Sequence, residues 1–431
     1  MANTYLKRTL SGTPSVYTFS AWIKLGHIIN GNNQYQSIFS NGAQQLLGLY
    51  GGGDTANHNA LYHYNGSSIW YTNNLLRDPC AWYHVLLKVS SGTATTYING
   101  VQTSYASSAS LGALVTTADK LTVGCYAANT DSFFTGSMSH VHFCDGTAYN
   151  PTDFGSTDST TGEWKINTSP NVNYGTDGFF ILKDGNSVTD QSPNTNHFTV
   201  GGGTLTKTED NPSNVFCNFN NLTPVPSASY SNGNTKAVDG AGAHKAFYGT
   251  LGFSSGKYYW EAKAVGGSKY TIGLSDVENY IYYTQVSNTN VIIGESSNSY
   301  NSGDAIGWYY NDINKNGSNI ASGIHTIVTN DIIMVAADAD NGKIYYGLNG
   351  TWRVANSTTF NAANNDTTFT TAKTYTPAFS GENCGWEVNW GNGYFGTSAV
   401  SSAGTNASNI GIFEYDVPSG FTALSTKGLN E

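Results

Sequence analysis

Charged side chains are scarce in this sequence. Asp, Glu, Lys and Arg make up 11% of the 431 residues, whereas about a quarter is usual for a globular domain. The 29 acidic residues outnumber the 19 basic ones, and the net charge is −10. A phosphate backbone would be repelled, which excludes nucleic acid as a partner. Gly, Ser, Thr, Asn and 29 Tyr residues replace the charges, and a surface of hydroxyls, amides and rings suits sugar recognition.

Patterned cysteines and long apolar runs are also missing. The five cysteines lie far apart and are odd in number, so neither a disulfide framework nor a CxxC metal site is expected. No apolar run approaches the 18 residues of a membrane span, and the first residues lack the apolar core of a signal peptide. We therefore expect folding in a reducing cytoplasm, no membrane insertion, and no cofactor or metal.

The sequence also lacks helical periodicity. No stretch combines apolar spacing at 3, 4 and 7 with capping signals, so less than about a tenth of the chain is expected in helix. Short alternating segments recur instead, among them 17–25, 82–89, 136–143, 256–265, 270–276, 331–338, 342–348 and 385–391. Many short strands with turn signals between them predict an all-β chain of two antiparallel, jelly-roll-like β-sandwich domains in tandem.

One hairpin pattern occurs twice, as "AWYHVLLKVSSGTATTYINGVQ" (81–102) and as "DIIMVAADADNGKIYYGLNGTW" (331–352). Each copy contains apolar runs, a polar break and an Asn-Gly turn, a favoured hairpin dipeptide. In the first copy Val85 and Leu87 are expected on one face, and His84 on the other. The two copies predict one sandwich domain each.

Domain boundaries follow from the loss of alternation over residues 185–228. Three of the ten prolines lie within 212–226, and the phenylalanines of this segment indicate packing along a domain. The sequence therefore predicts a first domain over 1–184, a packed linker over 185–228 and a second domain over 229–431.

The sequence matches active-site and metal-site motifs only in part. "GFSSG" (252–256) matches a nucleophile-elbow pattern, but a predicted strand follows where that motif needs a helix. "DINKNG" (312–317) matches half of a calcium loop that would have Gly323 in place of the bidentate Glu; an Asn/Gly-rich turn is the preferred interpretation, with a weak calcium site near Asp312 as the alternative. Glu261 and Glu387 are single acids without an acidic neighbour at i+2 or i+4, so no hydrolase is expected.

Aromatic side chains are the remaining signal. Trp82 and Trp260 lie within strand patterns and are expected in the core. Three loop-like stretches, 65–74, 278–285 and 349–353, carry bulky rings outside regular alternation. Rings on polar loops can stack on sugars or anchor a protein. The predicted ligand-binding residues are therefore Trp70, Tyr71, Tyr280, Tyr282 and Trp352, and the alternative for each ring is ordinary packing.

The chain resembles two known domain families joined together. Residues 1–184, with "YTFSAWIK", "LRDPCAWYHVLLKV" and "TTYINGVQ", resemble a concanavalin-A-like, laminin-G-like domain of tailed-bacteriophage virion proteins. Residues 229–431, with "FSSGKYYWEAKA", "YTIGLSD" and "NDIIMVAADADNGKIYYGLNGTW", resemble a SPRY domain. The resemblance implies recognition without catalysis, since laminin-G-like domains bind glycans or proteins and SPRY domains bind proteins through loops.

Three functions follow as hypotheses. The first is a bacteriophage virion surface protein, on the tail or the head, that adheres to host-surface polysaccharide. The alternative is a capsid or tail decoration (cement) protein that binds only other virion proteins. The third is a glycan-cleaving enzyme of sandwich fold. Head or tail location, the identity of the glycan, and association into a homo-oligomer are left open by the sequence.

Overall fold

The chain divides into two compact domains, Met1–Lys207 and Thr208–Glu431. The structure, a computed structural model, describes residues 3–105, 107–118, 120–183, 188–222, 228–240, 242, 244–278, 291–295 and 304–430. The boundary falls inside the segment 185–228, which the sequence analysis interpreted as a packed linker between domains. The segment is divided between the two domains: its part up to Lys207 supplies a strand to the first domain, and Phe216 and Phe219 enter the core of the second.

The described part of domain 1 contains β-strands and two 3-10 helices. They are β1 (Tyr5–Arg8), β2 (Tyr17–Leu25), β3 (Gln36–Asn41), β4 (Gln44–Leu49), η1 (Thr55–Asn57), β5 (Ala60–Tyr64), β6 (Ile69–Leu75), β7 (Trp82–Ser90), β8 (Thr93–Ile98), β9 (Val101–Gln102), β10 (Leu121–Val123), β11 (Gly136–Asp145), η2 (Pro151–Asp153), β12 (Gly155–Thr157), β13 (Trp164–Ile166), β14 (Phe179–Ile181) and β15 (Thr199–Gly202).

Two antiparallel sheets form the sandwich of domain 1. The seven-stranded sheet has the order β15-β1-β10-β3-β4-β5-β6, and the six-stranded sheet has the order β14-β11-β2-β7-β8-β9. Val85 and Leu87 of β7 point into the core between them, as their alternation predicts, and Leu47 and Phe143 join them there. His84 lies on the opposite face of the same strand, in contact with rings of a covering segment.

That covering segment contains the β12–β13 hairpin and lies over the outer face of the six-stranded sheet. The Trp164 ring stacks on His84 with centroids 5.8 Å apart, and the Tyr174 hydroxyl is 2.9 Å from Nδ1 of His142. The six-stranded sheet is therefore apolar or aromatic on both faces.

Domain 2 is also built from β-strands. The described ones are β16 (Ala228–Ser231), β17 (Lys236–Asp239), β18 (Phe247–Tyr248), β19 (Lys257–Val265), β20 (Ser268–Asp276), β21 (Ala305–Tyr309), β22 (Asp312–Lys315), β23 (Ser318–Ala321), β24 (Ile332–Asp338), β25 (Lys343–Leu348), β26 (Thr351–Trp352), β27 (Thr367–Thr368), β28 (Tyr375–Glu382), β29 (Gly385–Asn389), β30 (Tyr394–Phe395), β31 (Ser398–Ala399) and β32 (Thr422–Ala423), followed by η3 (Gly428–Asn430).

A nine-stranded and a six-stranded sheet enclose the core of domain 2. The first follows the order β16-β17-β29-β19-β24-β25-β26, with β27 and β32 pairing onto β25 and β19; the second follows β18-β28-β20-β21-β22-β23. Trp260 is fully buried between them, and Trp82 is buried in domain 1, as the sequence predicts for both. Asp312 lies in β22, so "DINKNG" forms a strand and its turn, and the nucleophile-elbow match at 252–256 precedes a strand.

The repeated hairpin is present in both domains, as β7-β8-β9 and as β24-β25-β26. Each second turn has two residues with positive φ: Asn99 (48°) and Gly100 (79°) in the first copy, Asn349 (47°) and Gly350 (87°) in the second. Two consecutive positive φ angles define the type I′ turn that matches strand twist. The two copies therefore serve as equivalent parts of two sandwiches.

The predicted fold class is confirmed as two antiparallel β-sandwiches. Helix in the described residues is limited to the three short 3-10 helices and to residues 277–278. None of the helices in the described part of the chain has the length and apolar character needed to cross a membrane.

Candidate functional site

The predicted ring residues occupy three different environments. Trp70 and Tyr71 lie on β6, an edge strand, so the expected loop at 65–74 is wrong over 69–74. Trp70 packs against the sandwich core, and Tyr71 is half-buried on the outer face. Trp352 is only 4% exposed and packs against Phe360, which corrects its prediction as a contact residue. Its loop-like appearance comes from the type I′ turn directly before a two-residue strand.

Two of the predicted residues receive no structural account. Tyr280 and Tyr282 lie outside the described residues. Tyr71 is therefore the predicted residue around which a site can be built.

Strand register places Tyr71 at the end of a row across the outer face of the seven-stranded sheet. Tyr71 pairs with Tyr62 on β5, Tyr62 pairs with Gly48 on β4, and Gly48 pairs with Ser37 on β3. Directly paired residues point to the same face of a sheet. Gly48 makes room for its neighbour, because a Cβ there would lie 2.5 Å from the Tyr62 ring.

Four tyrosines form a contiguous aromatic surface, here named the tyrosine face: Tyr35, Tyr50, Tyr62 and Tyr71. Ring centroids are 4.7 Å apart for Tyr50–Tyr71, 5.5 Å for Tyr35–Tyr50 and 5.3 Å for Tyr35–Tyr62. The hydroxyls of Tyr35 and Tyr50 are hydrogen bonded, and burial, together with this neighbour, raises the pKa of Tyr35. Tyr35 and Tyr71 are half-buried, so the surface presents ring area to solvent.

A short loop after β4 fixes the polar rim of the tyrosine face. Asp54 caps η1 by accepting a hydrogen bond from the backbone N–H of Ala56. Its Oδ2 accepts from the Asn57 amide at 2.7 Å and from the Tyr71 hydroxyl at 3.3 Å. Burial and the Asp54 charge both raise the pKa of Tyr71. The carboxylate thereby orients the most accessible end of the surface.

The loop that carries Tyr35 is hydrogen bonded to the loop after β4. Asn59 accepts a hydrogen bond from the Ile29 N–H at 2.8 Å and donates to the Ile29 carbonyl at 3.0 Å. The Gln34 N–H donates to the Gly51 carbonyl at 3.1 Å. These bonds join the segment before β3 to the loop after β4, so Tyr35 and Tyr50 meet although 15 residues separate them.

Three buried polar atoms on this side of the sheet have no hydrogen-bond partner among the described residues: Tyr62 Oη, Ser37 Oγ and Gln45 Oε1. Ser37 and Tyr62 belong to the row described above, and Gln45 pairs with Tyr64 on β5. Buried polar groups in proteins almost always have a partner, and each exception calls for an explanation such as water or a ligand. The tyrosine face is therefore adjoined by buried polar atoms that lack a partner among the described residues.

A shallow recess of about 540 Å³ adjoins this region and is lined by Asn41, Gln44 and Asn65, among others. Each of these amides is already engaged by the backbone of the 110–115 segment. Asn41 bonds Val115, Gln44 bonds Gly112 and Asn65 bonds Ser110. The recess therefore serves to attach that segment to the sheet.

Domain 1 also contains a buried serine–histidine pair that cannot act as a nucleophile. His84 Nδ1 accepts a hydrogen bond from the indole N–H of Trp164 at 3.1 Å, so the neutral ring carries its proton on Nε2. Nε2 therefore donates to Ser20 Oγ, 2.8 Å away, instead of accepting its proton. Burial lowers the pKa of His84 to about 3, which keeps the ring neutral.

The two carboxylates considered for hydrolysis lie closer together than their sequence positions suggest. Glu261 pairs with Asn389 and Glu387 with Lys263, which makes the two acids diagonal neighbours on β19 and β29. Glu261 is fully buried, accepts from the backbone of Glu414 and Tyr415, and has its pKa raised by burial to about 7. Substrate cannot reach a carboxyl group enclosed in this way, and Glu387 pairs with Lys236 at 2.8 Å.

Two histidines of β11 are buried. His140 lies within a bulge of β11 and His142 directly follows the bulge, and both rings are buried against the Phe180 ring. No group of three or more His, Cys, Asp or Glu side chains in the described parts of the chain is placed to hold a metal ion.

The spacing of tyrosines in the sequence also points to the tyrosine face. Tyr35, Tyr50, Tyr62, Tyr64 and Tyr71 fall within 37 residues. Tyr62 and Tyr64 alternate with buried residues and so share one face of β5. This density of tyrosines on the solvent side of one sheet edge points to the same surface as the structure.

Residues 3–153, about a third of the chain, match the family model of the concanavalin A-like lectin/glucanases superfamily. The match covers β1 to β11 of domain 1, which include the strands of the tyrosine face. No curated protein sequence matches the chain.

Solved structures of similar shape include two SPRY domains and a bacterial protein. The human HERC1 SPRY domain has 15% identity, a TM-score of 0.28, and coverage of 39% of this chain and 96% of its own. The TRIM65 PSpry domain has 14% identity, a TM-score of 0.27, and coverage of 40% of this chain and 89% of its own. A candidate carbohydrate-binding protein from Bacteroides ovatus ATCC 8483 has 19% identity, a TM-score of 0.31, and coverage of 47% and 58%. Similarity at this level supports no inference about function.

Proposed function

We propose that this chain is a non-enzymatic glycan-binding protein and that the tyrosine face is its binding surface. The observation that carries the proposal is the accessible Tyr71 ring, packed on Tyr50 and oriented by Asp54. A sugar ring has an apolar C–H face and a rim of hydroxyls, and it is matched by a flat aromatic ring with polar groups at its edge. Residues 3–153 match a family model named for lectins and glucanases, both of which bind glycans.

Binding without cleavage is the second part of the proposal. A glycosidase needs two accessible carboxyl groups flanking the scissile bond. Glu261 is enclosed in domain 2 and cannot flank a scissile bond. The Ser20–His84 pair has its proton on the wrong nitrogen for nucleophilic catalysis.

The biological setting that we propose is the surface of a bacteriophage virion, on the head or the tail, with host-surface polysaccharide as the ligand. This part is supported by the resemblance of residues 1–184 and 229–431 to virion laminin-G-like and SPRY domains. Synthesis in the host cytoplasm accords with five cysteines that form no disulfide.

A second candidate function is decoration of the virion through protein contacts of domain 2. Tyr310 is 42% exposed and Val328 is 51% exposed. The Ile327 N–H donates to the Tyr310 carbonyl, so the backbone segments that carry these two residues are adjacent. Exposed apolar groups that cluster in this way are typical of protein contact sites.

Two single variants distinguish the candidates in virions that carry the chain. Tyr71→Ala removes a half-buried ring of the tyrosine face in domain 1, and Tyr310→Ala removes an exposed ring of domain 2. We expect Tyr71→Ala to reduce adsorption to host cells with normal incorporation into virions. Normal adsorption by Tyr71→Ala virions, together with failed incorporation of Tyr310→Ala, would establish decoration and overturn adhesion.

A further inference from the structure

The tyrosine face has carboxylates on both sides. Asp54 lies at the β6 side and is bonded to Tyr71. Asp131 lies on the opposite side, where its backbone pairs with Tyr126 and its charge acts on the hydroxyls of Tyr62 and Tyr126. Both aspartates are exposed, and neither forms an ion pair within the described residues.

Positive charge does not offset these two carboxylates. None of the described contacts that form the tyrosine face involves a Lys or Arg side chain. Lys120 lies on the same side of the domain, since both it and Asp131 influence the Cys125 thiol. Its ammonium group is directed at the carbonyls of Ala127 and Ala128. The whole chain adds a net charge of −10.

Glycans differ chiefly in whether they carry acidic groups. A uronate or sulfate placed on the tyrosine face would meet like charge on both sides, and such pairs repel more strongly near a protein surface than in bulk water, above all at low salt. Neutral sugar hydroxyls have the opposite interaction, because an O–H group that donates to a carboxylate forms a charge-assisted hydrogen bond.

We propose that the tyrosine face selects neutral, polyhydroxylated polysaccharides and rejects uronate-containing and sulfated ones, with Asp54 and Asp131 as the residues that determine this specificity. The inference rests on the proposed glycan-binding function and specifies its ligand class. Electrostatic discrimination of this kind works by penalising the wrong ligand as well as by binding the right one.

The test is a binding assay of the full chain on immobilised dextran and mannan, which are neutral, and on heparin and polygalacturonate, which are anionic, at 20 and 150 mM NaCl. The wild type is compared with Tyr71→Ala and with the double variant Asp54→Asn/Asp131→Asn. Asparagine keeps the size and the acceptor oxygen of aspartate and removes its charge.

We expect the wild type to bind a neutral polysaccharide at both salt concentrations and to bind neither anionic one. The double variant should gain at least tenfold affinity for heparin or polygalacturonate at 20 mM NaCl. Preferential, salt-sensitive binding of anionic polysaccharide by the wild type would overturn the specificity and leave glycan binding intact. Binding of neither class, or equal binding by Tyr71→Ala, would overturn the proposed function and this inference with it.

Discussion

The hydroxyl of Tyr71 lies 3.3 Å from Oδ2 of Asp54, the carboxylate oxygen that the Asn57 amide also reaches at 2.7 Å. Tyr71 is on an edge strand and Asp54 is in a loop 17 residues earlier, so the contact joins two separately built elements. A ring held in this way loses little further freedom when a ligand stacks on it, which favours affinity. The relationship makes Tyr71 a pre-oriented member of the tyrosine face whose ring is half-buried.

Replacement of Tyr71 by Phe distinguishes the contribution of the hydroxyl, which orients the ring, from that of the ring itself, which stacks on a ligand. The ring remains, and the hydrogen bond to Asp54 is lost. Since a net hydrogen bond is worth roughly 1 kcal/mol, we expect affinity for a bound glycan to fall about fivefold or less. Affinity measured by calorimetry checks this, and a loss as large as that of Tyr71→Ala would show that the hydroxyl itself contacts the ligand.

The turn glycines of the repeated hairpin contact an aromatic ring in both domains. A Cβ at Gly100 would lie 2.4 Å from the Trp164 ring, and one at Gly350 would lie 2.9 Å from the Tyr415 ring. Alanine at either position adds this clash to the cost of a positive φ, so we expect a loss of about 2–4 kcal/mol in the free energy of unfolding. Gly233→Ala is the matched control.

Gly233 has φ of 65° and open space where a Cβ would lie. Its replacement by alanine should therefore cost only the backbone strain of about 1–2 kcal/mol. Urea denaturation of the three variants measures the difference. Equal losses at Gly233 and Gly100 would show that the contact with Trp164 contributes nothing to the stability of domain 1.

Domain 1 should lose stability in acid because of its buried histidines. Burial lowers the pKa of His63 to about 4 and that of His84 to about 3. Below about pH 6.5 the unfolded state takes up protons that the folded state does not bind. The free energy of unfolding therefore decreases as the pH is lowered. Each of the two histidines should lower the free energy of unfolding by about 2 kcal/mol when the pH is lowered from 7 to 5.

Hydrogen-exchange mass spectrometry of the full chain follows peptides of each domain separately and checks this prediction. His84→Gln should reduce the dependence of domain 1 stability on pH between 7 and 5. An unchanged dependence in this variant would mean that His84 is already protonated in the folded protein.

Domain 2 should respond to pH in the opposite direction through Glu261. Burial raises the pKa of this carboxyl to about 7, so between about pH 4.5 and 7 only the unfolded state is ionised and stability falls as pH rises. The full effect is about 3 kcal/mol. In Glu261→Gln the dependence should disappear from domain 2 peptides; its persistence would assign the effect to another acid, such as Asp366, whose pKa is raised to about 6.

Much of the fold follows from alternation in the sequence. The strands at 17–25, 82–89 and 385–391 were predicted because each places apolar residues on a buried face at every second position. β6 was interpreted as a loop because its exposed edge leaves it with few strictly apolar positions, and "IWYTNNL" mixes rings and amides on both faces. Edge strands with one free side depend least on burial, so their sequence pattern is the weakest.

The tyrosine face could be predicted only in part. Tyr71 was selected from the sequence because of its polar surroundings, but Tyr35 and Tyr50 become its neighbours through strand register and through the Asn59 and Gly51 bonds between loops. Trp352 shows the reverse situation. Its neighbours in sequence are polar, yet Phe360 and the Tyr259 ring bury it through tertiary contacts.

The central claim is that Tyr71 belongs to a glycan-binding surface, and isothermal titration calorimetry tests it directly. A panel of neutral polysaccharides (dextran, mannan and galactan) is titrated into the full chain, into Tyr71→Ala and into Tyr97→Ala. Tyr97 is a matched control, since it is a half-buried tyrosine on the six-stranded sheet of the same domain. We expect the wild type and Tyr97→Ala to bind a polysaccharide within twofold of each other, and Tyr71→Ala to bind at least tenfold more weakly with unchanged thermal unfolding. Equal binding by Tyr71→Ala and the wild type would contradict the account.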